Sequence, residues 1–198
     1  IISVEEENSR LLPYLIEIKK RFPDTIISID TFRKDVAKNA IDNGADIIND
    51  ISGGLFDKDM LSYIGGNHVP YIMMHCGGSI ESLHTNHIKE NTCEIVKEFF
   101  EKQIEFLDNY GEQQIILDPG IGFNKSMKSN FELLNNIEDY RVNYLPVLIG
   151  ISRKSMIYKT LKTTPQEALN GTTVLNTIAL MKGADILRVH DVKEAVEA

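Results

Sequence analysis

Two cations stand side by side in an otherwise acidic chain. Arg153 and Lys154 lie in the stretch GISRKS (150–155), directly after the apolar run Pro146–Ile149. The chain has 198 residues and a formal net charge of -8, so a site for an anion has to be built locally from cations or backbone N–H groups. This acidic balance argues against nucleic acid as a partner, whereas a small anionic substrate suits the two cations.

A second pair of nitrogen-bearing side chains occurs near the C-terminus. Arg188 and His190 stand two residues apart, the spacing that places side chains on one face of a strand. We predict that both face a common ligand while Leu187 and Val189 pack against helices on the opposite face. Arginine presents a fork of donors that suits phosphate-type oxygens. The alternative is that Arg188 pairs with a carboxylate inside the fold.

Three polar residues interrupt or follow apolar runs. Asp30 stands before Thr31 and a predicted helix, so it either caps that helix or binds a ligand. Asn49 lies within an apolar run, where a buried amide needs hydrogen bonds from the protein or from a ligand. Asp118 opens the stretch DPGIGF, whose glycines form a tight turn and let a ligand approach the backbone; a plain turn is the alternative.

The histidines give little support for a metal site. His84 and His87 are three residues apart in a polar stretch, but no Cys or Asp partner stands at a metal-ligand spacing. We therefore predict no metal site within this chain. His75 follows an apolar run and is predicted to be a structural histidine with its hydrogen bonds satisfied, and Met74 beside it is either core or a surface for a flat ring.

Short apolar runs separated by amphipathic segments must position these residues. Runs of this length are typical of buried strands, and helices between them imply parallel strands with chemistry at their carboxyl ends. Helices are predicted at about 3–22, around 36–41, at 94–107 and at 169–181. The predicted strands are Thr25–Ile29, Asp46–Ile51, Pro70–Met74, Gln114–Leu117, Pro146–Ile151 and Ala184–Val189.

Two architectures fit this alternation, an open doubly wound sheet and a closed barrel. An open sheet usually carries a glycine fingerprint after its first strand, and no such fingerprint is found. A full barrel takes about 250 residues, or roughly 31 per unit, which leaves room here for about six units. We therefore predict an α/β fold, a TIM (β/α)8 barrel with about six of its eight units present, as a single domain over residues 1–198 that is incomplete at its N-terminus.

Cysteine use and hydropathy indicate the compartment. Cys76 and Cys93 form no C-x-x-C motif, so we expect a reducing cytoplasm. No apolar stretch reaches the roughly 18 residues of a membrane span, and no signal-peptide pattern is found. We expect a cytoplasmic protein without a membrane partner, and the first residue, Ile1, suggests a longer natural chain.

Taken together, the motifs resemble those of the dihydropteroate synthase family, TIM-barrel enzymes of folate biosynthesis and targets of sulfonamides. The resemblance implies a transferase that joins 6-hydroxymethyl-7,8-dihydropterin pyrophosphate to p-aminobenzoate, giving 7,8-dihydropteroate and pyrophosphate. It covers nearly the whole chain in order, through SIDTFRKDVAKNAIDNGADIINDISGG (28–54), MMHCGG (73–78), ILDPGIGF (116–123), PVLIGISRKS (146–155) and NGTTVLNTIALMKGADILRVHDV (170–192).

The resemblance also implies roles for single residues. It places the pterin on Asp30, Asn49, Ile51, Met74, Asp118, Gly150 and Lys154. It places p-aminobenzoate on Phe123, Lys154 and Ser155, and pyrophosphate on Arg188 and His190. The residues implied in catalysis are Lys154, Arg188, His190 and Asp118. Arg153 follows the family pattern too, but the residues alone suggest that it faces outward to a carboxylate.

The implied mechanism is dissociative. Pyrophosphate departs with help from magnesium and these cations, and the amine attacks the pterin methylene cation, so orientation and charge stabilisation provide the catalysis. The family's asparagine near Mg²⁺ and its Ser-Thr-Arg-Pro loop belong to its first two strands and do not occur in these residues. We therefore expect little synthase activity from the 198-residue chain by itself. The resemblance also implies a homodimer formed through the last helices.

Two other functions remain open at this point. A folate-dependent methyltransferase domain would share a pterin-binding barrel, but it needs no pyrophosphate site, so Arg188, His190 and the SRKS stretch argue against it. A catalytically inactive pterin-binding homologue would keep the same pocket without turnover.

Overall fold

The computed structural model describes residues 2–83 and 88–198, in which helices and strands alternate. The chain falls into two compact units, residues 1–74 with 102–115 and residues 75–101 with 116–198. His84 and His87, considered above as metal ligands, lie outside the described residues. The elements are α1 (Val4–Arg21), β1 (Ser28–Asp30), α2 (Lys34–Asp42), β2 (Ile47–Asp50), α3 (Met60–Asn67), β3 (Tyr71–Met74), α4 (Thr92–Asp108), β4 (Ile115–Asp118), α5 (Met127–Asn135), α6 (Ile137–Tyr140), β5 (Leu148–Ile149), α7 (Ser155–Leu161), α8 (Leu169–Met181), β6 (Ile186–Leu187) and α9 (Val192–Val196).

The first unit is built on three parallel strands. β1 pairs with β2 so that Asp30 lies opposite Asn49, and β2 pairs in turn with β3. Isoleucine recurs in these strands, and its branched Cβ suits a buried pleated surface. Parallel pairing requires a crossover connection, which α2 and α3 supply.

Helix α1 has the cap and the charge distribution that stabilise helix ends. The Ser3 hydroxyl accepts a hydrogen bond from Glu6 N at 3.2 Å, and acidic residues fill the first turn at 5–7. Basic residues fill the last turn at 19–21, where positive charge offsets the negative end of the helix dipole. The predicted helix over about 3–22 is confirmed.

The second unit contains most of β4 together with β5, β6 and their helices. Leu117 forms a parallel bridge with Val147, and β5 pairs in parallel with β6. Helices α7 and α8 pack closely, since a Cβ on Gly171 would stand 2.5 Å from Cγ2 of Ile157. Parallel strands separated by helices in both units agree with the predicted α/β class.

Every strand except β4 is shorter than the apolar run that indicated it, and β5 and β6 are shortened most. β5 keeps two residues of the predicted Pro146–Ile151, and β6 keeps two residues of the predicted Ala184–Val189. Backbone pairing continues one residue further, because Arg188 N donates to Ile149 O at 3.0 Å. The regular alternation of faces that we expected over 186–190 therefore ends near Arg188.

A buried carboxyl group fixes the turn that follows β2. Asp50 is buried and accepts hydrogen bonds of 2.7–2.8 Å from Ser52 N, the Ser52 hydroxyl, Gly54 N and the Tyr71 hydroxyl. Burial raises the pKa of Asp50, and these four donors oppose the rise. A buried carboxyl group is costly without such donors, so the cluster stabilises the first unit.

Replacing Tyr71 by Phe removes one donor of this cluster at nearly constant volume. We expect Tyr71→Phe to lower the free energy of unfolding by about 2 kcal/mol, as is typical for a hydrogen bond to a charged acceptor. Tyr14→Phe is the matched control, because Tyr14 is 73% exposed. Urea unfolding followed by circular dichroism measures both variants, and equal stabilities would contradict this role for Tyr71.

Candidate active site

A carboxylate and an amide meet at the carboxyl ends of β1 and β2. Asn49 is buried, and its Nδ2 donates a hydrogen bond to Oδ1 of Asp30. The amide oxygen Oδ1 of Asn49 is buried and has no hydrogen-bond partner among the described residues. This pair therefore retains acceptor capacity for a ligand that carries N–H donors.

The capping alternative for Asp30 is wrong. Helix α2 begins at Lys34, and its N-cap is Arg33, with no side-chain capping bond. Asp30 is exposed at the end of its strand and bonded to Asn49. Of the two apolar residues predicted nearby, Met74 is buried and Ile51 is half-buried.

The turn after β4 combines a buried carboxyl group with backbone contacts. Asp118 is 7% exposed, and its Oδ1 accepts a hydrogen bond from Gly120 N at 2.8 Å. Burial raises the pKa of Asp118, whereas Lys154 is foremost among the groups that oppose the rise. The Asp118 side chain thus stabilises its own turn, and its carboxyl group also faces the cations of the second unit.

Lys154 extends from the start of α7 to this turn. Its Nζ donates to Ile121 O at 2.5 Å and lies 5.0 Å from the centre of the Phe123 ring. Burial lowers the pKa of Lys154, and the Asp118 carboxylate opposes that effect. The structure therefore brings together Lys154, Asp118 and Phe123, three residues predicted as substrate contacts.

The predicted anion site lines one cavity of the second unit. The cavity has a volume of about 160 Å³ and is lined by Gly150, Ser152, Lys154, Arg188, Val189 and His190. Nδ1 of His190 lies 2.9 Å from the Ser152 hydroxyl, which orients the ring. A Cβ on Gly150 would stand 3.7 Å from Arg188 Cβ and 3.9 Å from Lys154 Nζ, so a side chain there would occupy the cavity.

One part of the prediction for this region is wrong. Val189 was expected to pack on the face opposite Arg188 and His190, but it lines the same cavity. The reason is that β6 ends at Leu187, beyond which the strict twofold alternation of a strand no longer applies.

Arg153 takes no part in this cavity. Its Nε and Nη2 bind Asp191 at 2.8 and 2.7 Å, and its Nη1 binds Pro165 O and Gln166 O. The prediction that Arg153 faces outward to a carboxylate is confirmed. The two adjacent cations of GISRKS therefore serve different partners.

A larger open cavity lies beside Ser155, the first residue of α7. Its volume is about 580 Å³, and it combines hydroxyl groups with lysines. None of the described residues that line it is acidic, which makes it suitable for an anionic group in an acidic protein. They are Lys89, Gly122, Asn124, Lys125, Ser126, Met127, Asn130, Ser155, Tyr158 and Lys159.

Lys125 is a site residue that sequence reasoning missed. It is 4% exposed, and its Nζ donates to His75 O, Gly120 O and Phe123 O at 3.0, 3.1 and 3.1 Å. Burial lowers the pKa of Lys125 to about 7, against the pull of Asp118. A single lysine in a glycine-containing turn has the appearance of a surface residue, and no periodicity or spacing marks it.

His75 is structural, but the prediction that its hydrogen bonds are satisfied is wrong. The residue is 4% exposed, and Nδ1 has no partner among the described residues. Its ring lies edge-on to Phe99 with the centroids 5.0 Å apart. Burial, followed by the charge of Lys125, lowers the pKa of His75 to about 3, so the ring is neutral near pH 7.

Two further properties follow from the described part of the chain. Within it, no group of three or more His, Cys, Asp or Glu side chains is arranged to hold a metal ion. No helix among the same residues is long and apolar enough to cross a membrane.

The comparisons with known proteins give first the class and then the family. Residues 1–190 match the family model of the pterin binding enzymes. The dihydropteroate synthase of Clostridium beijerinckii is 40% identical over 197 residues, which are 98% of this chain and 70% of that protein. The chain belongs to the dihydropteroate synthase family, whose members are transferases of folate synthesis with a TIM-barrel fold. The described residues of this chain form the six strands that were predicted.

Solved structures agree with this assignment. The Yersinia pestis dihydropteroate synthase with a sulfonamide drug superposes with a TM-score of 0.92 at 33% identity, covering 99% of this chain and 72% of that one. The Coxiella burnetii dihydropteroate synthase in complex with pteroic acid gives a TM-score of 0.89 at 36% identity, covering 100% and 72%.

The buried neutral His75 predicts a loss of stability in acid. Its pKa of about 3 in the folded state lies below the ordinary value of 6.5, so the unfolded chain takes up the proton first. The stability is complete above pH 6.5 and falls as the pH drops toward 3, with about 2 kcal/mol lost at pH 5.

His75→Phe keeps an aromatic ring and removes this titration. We expect urea unfolding of His75→Phe to show a flatter dependence on pH between 7 and 4.5 than the parent shows. His68→Asn is the control, because His68 is exposed and has a φ of 51°, which asparagine tolerates. An unchanged slope in His75→Phe would contradict the assignment.

Proposed function

We propose that this chain carries the substrate sites of a dihydropteroate synthase, which joins 6-hydroxymethyl-7,8-dihydropterin pyrophosphate to p-aminobenzoate. The observation that carries the proposal is the cavity shared by Gly150, Lys154, Arg188 and His190. Lys154 links this cavity to the Asp118 turn through its bond to Ile121 O. A pyrophosphate-bearing substrate needs such cations, whereas a simple pterin binder does not.

We propose the following groups for pterin recognition. The aminopyrimidinone edge of a pterin offers several N–H donors, for which Asp30, Asn49 and Asp118 supply oxygen acceptors. The free acceptor capacity of Asn49 Oδ1 supports this role. Ile51 and Met74 provide apolar contact for the flat ring, and the small Gly150 leaves room beside Lys154.

The proposed reaction needs no protein nucleophile. The bond between the pterin methylene carbon and the pyrophosphate oxygen breaks, and the electron pair leaves with pyrophosphate. Arg188, His190 and Lys154 stabilise the negative charge that develops on the leaving group. The p-aminobenzoate nitrogen then forms the new bond to the methylene carbon and releases a proton. Holding both substrates in position lowers the entropic cost of this step.

The second substrate is assigned to the other side of Lys154. We propose that p-aminobenzoate packs against Phe123, with Lys154 above that ring and Ser155 at the carboxylate end. The lysine-rich cavity beside Ser155 supports the placement of a carboxylate there. The neighbour from C. burnetii that binds pteroic acid supports a site for both halves of the product.

A magnesium ion does not fit a ligand set among the described residues, since no cluster of three suitable side chains occurs there. Mg²⁺ prefers carboxylates together with substrate phosphates. We therefore propose that any magnesium enters with the pyrophosphate group.

The pterin and pyrophosphate sites can be separated by calorimetry with two ligands, 6-hydroxymethyl-7,8-dihydropterin and its pyrophosphate. We expect Asp118→Asn to weaken the binding of both ligands by about tenfold, because the pterin loses a charged acceptor. We expect Arg188→Met to weaken only the pyrophosphate ligand, by a similar factor.

Lys193→Met is the control for this experiment, because the Lys193 side chain is 81% exposed. A parent that binds neither ligand, or an Arg188→Met variant that weakens both equally, would contradict the proposed sites. Equal affinity of the parent for the two ligands would favour a pterin-binding domain without a pyrophosphate site.

We further propose that residues 1–198 act as one cytoplasmic domain that forms a homodimer through α7 and α8. An apolar cavity of about 190 Å³ at these helices is lined by residues such as Met156, Ile157 and Leu175. Leu161 and Val174, which also line it, are 55% and 50% exposed. Apolar surface of this kind is typical of a protein interface.

A charge in this surface is expected to prevent the association. We expect Val174→Glu to shift the protein from dimer to monomer, as measured by sedimentation equilibrium. Ile26→Glu is the control, because Ile26 is 73% exposed and lies in the first unit. A parent that sediments as a monomer, or a Val174→Glu variant that stays dimeric, would contradict the proposed interface.

A further inference from the structure

One ammonium group holds three carbonyl oxygens of the second unit. Nζ of Lys125 donates to His75 O, Gly120 O and Phe123 O at 3.0–3.1 Å. An ammonium group has three donors, whereas a neutral amine has two. The three bonds therefore exhaust the donors of the charged form, and none is left for a ligand.

These three carbonyls tie both ends of one turn to a fixed point. Gly120 lies two residues after Asp118, and Phe123 lies five residues after Asp118. His75 lies outside the turn. His75 N also donates to Asp118 O at 3.0 Å. A Cβ on Gly120 would stand 2.0 Å from His75 O, so the turn lies directly on that backbone.

Other contacts hold the middle of the same turn. Asn130 Oδ1 accepts from Gly122 N at 2.7 Å, and Asn130 Nδ2 donates to Lys125 O at 3.3 Å. Asn124 Nδ2 donates to Gly77 O at 3.0 Å. Phe123 N also donates to Gly120 O at 3.1 Å, and the ammonium of Lys125 binds the carbonyls of both residues together with His75 O.

We propose that Lys125 is a positioning residue that fixes Asp118 and Phe123 relative to each other. It thereby couples recognition of the pterin to recognition of the aminobenzoate ring, an inference that rests on the proposed function. Lys125 lines the cavity beside Ser155, but its three donors are occupied by the backbone, so it acts on the two substrates through the turn.

The charge of Lys125 has a separate effect on Asp118. Lys154, Lys125 and Arg188 all lower the pKa of Asp118 against the effect of burial, and Tyr140 is the other titratable group nearby. Around Lys125 itself the titratable groups are Asp118, Cys76, Lys154 and His75. Removing the charge of Lys125 should therefore raise the pKa of Asp118, an effect that a purely structural role would not produce.

The variants Lys125→Met and Lys125→Arg separate the positioning of the turn from the effect of charge on Asp118. Calorimetry measures their binding of the dihydropterin and of pteroic acid, which spans both halves of the product. We expect Lys125→Met to lose about tenfold more affinity for pteroic acid than for the dihydropterin. We also expect its pterin binding to fail at a higher pH than in the parent, because Asp118 is protonated sooner without the charge of Lys125.

Lys125→Arg keeps the charge, but a planar guanidinium cannot point three N–H groups at the same three carbonyls. It should lose the additional affinity for pteroic acid and retain the acid limit of the parent. Lys19→Met is the control, because Lys19 is a partly buried lysine that binds Thr25 O and Asp46 in the first unit. It should preserve both affinities.

The outcomes distinguish this inference from the proposed function. A parent that does not bind the dihydropterin would overturn the proposed function and the inference with it. A parent that binds both ligands, together with a Lys125→Arg variant that keeps the parent's ratio of affinities, would overturn the inference alone. The comparison of Lys125→Arg with the parent tests the inference even if Lys125→Met fails to fold.

Discussion

A carboxyl group buried beside two lysines sets the arrangement of the second unit. A buried carboxylate is tolerable only with opposite charge and donors close by, and Asp118 has Lys154, Lys125 and Gly120 N. The lysines in turn bind carbonyls of the turn that Asp118 begins. The polar groups are therefore oriented before any ligand arrives, which is the condition for electrostatic catalysis.

The short stretch GISRKS shows how the backbone divides two neighbouring cations. Arg153 has a φ of 55°, in the left-handed region that few residues other than glycine adopt. Its N–H binds the Thr172 hydroxyl, and its side chain binds Asp191. Lys154 is consequently directed to the opposite side, toward Ile121 O. Of the two cations, only Lys154 lines the cavity that we propose for the anion.

The pattern of apolar runs predicted which residues lie at strand ends, and Asp30, Asn49 and Asp118 were found there. That prediction succeeds because strand length and alternation are local properties of the chain. The place of Val189 was predicted wrongly, since the end of β6 depends on tertiary hydrogen bonds and not on the run itself. The burial of Lys125 could not be predicted from the sequence, because it depends on carbonyls that the fold brings together. One of them, His75 O, lies 50 positions earlier in the chain.

The ammonium group of Lys125 binds three main-chain oxygens. These hydrogen bonds do not depend on which side chains the residues that carry the oxygens have. Because Lys125 binds the carbonyl of Phe123 and not its ring, exchange of that ring would change the surface beside Lys154 without removing a hydrogen bond that holds the turn. The turn can therefore tolerate a different side chain at Phe123. It tolerates little change at Lys125, which supplies the donors, or at Gly120, where a Cβ would collide with His75 O.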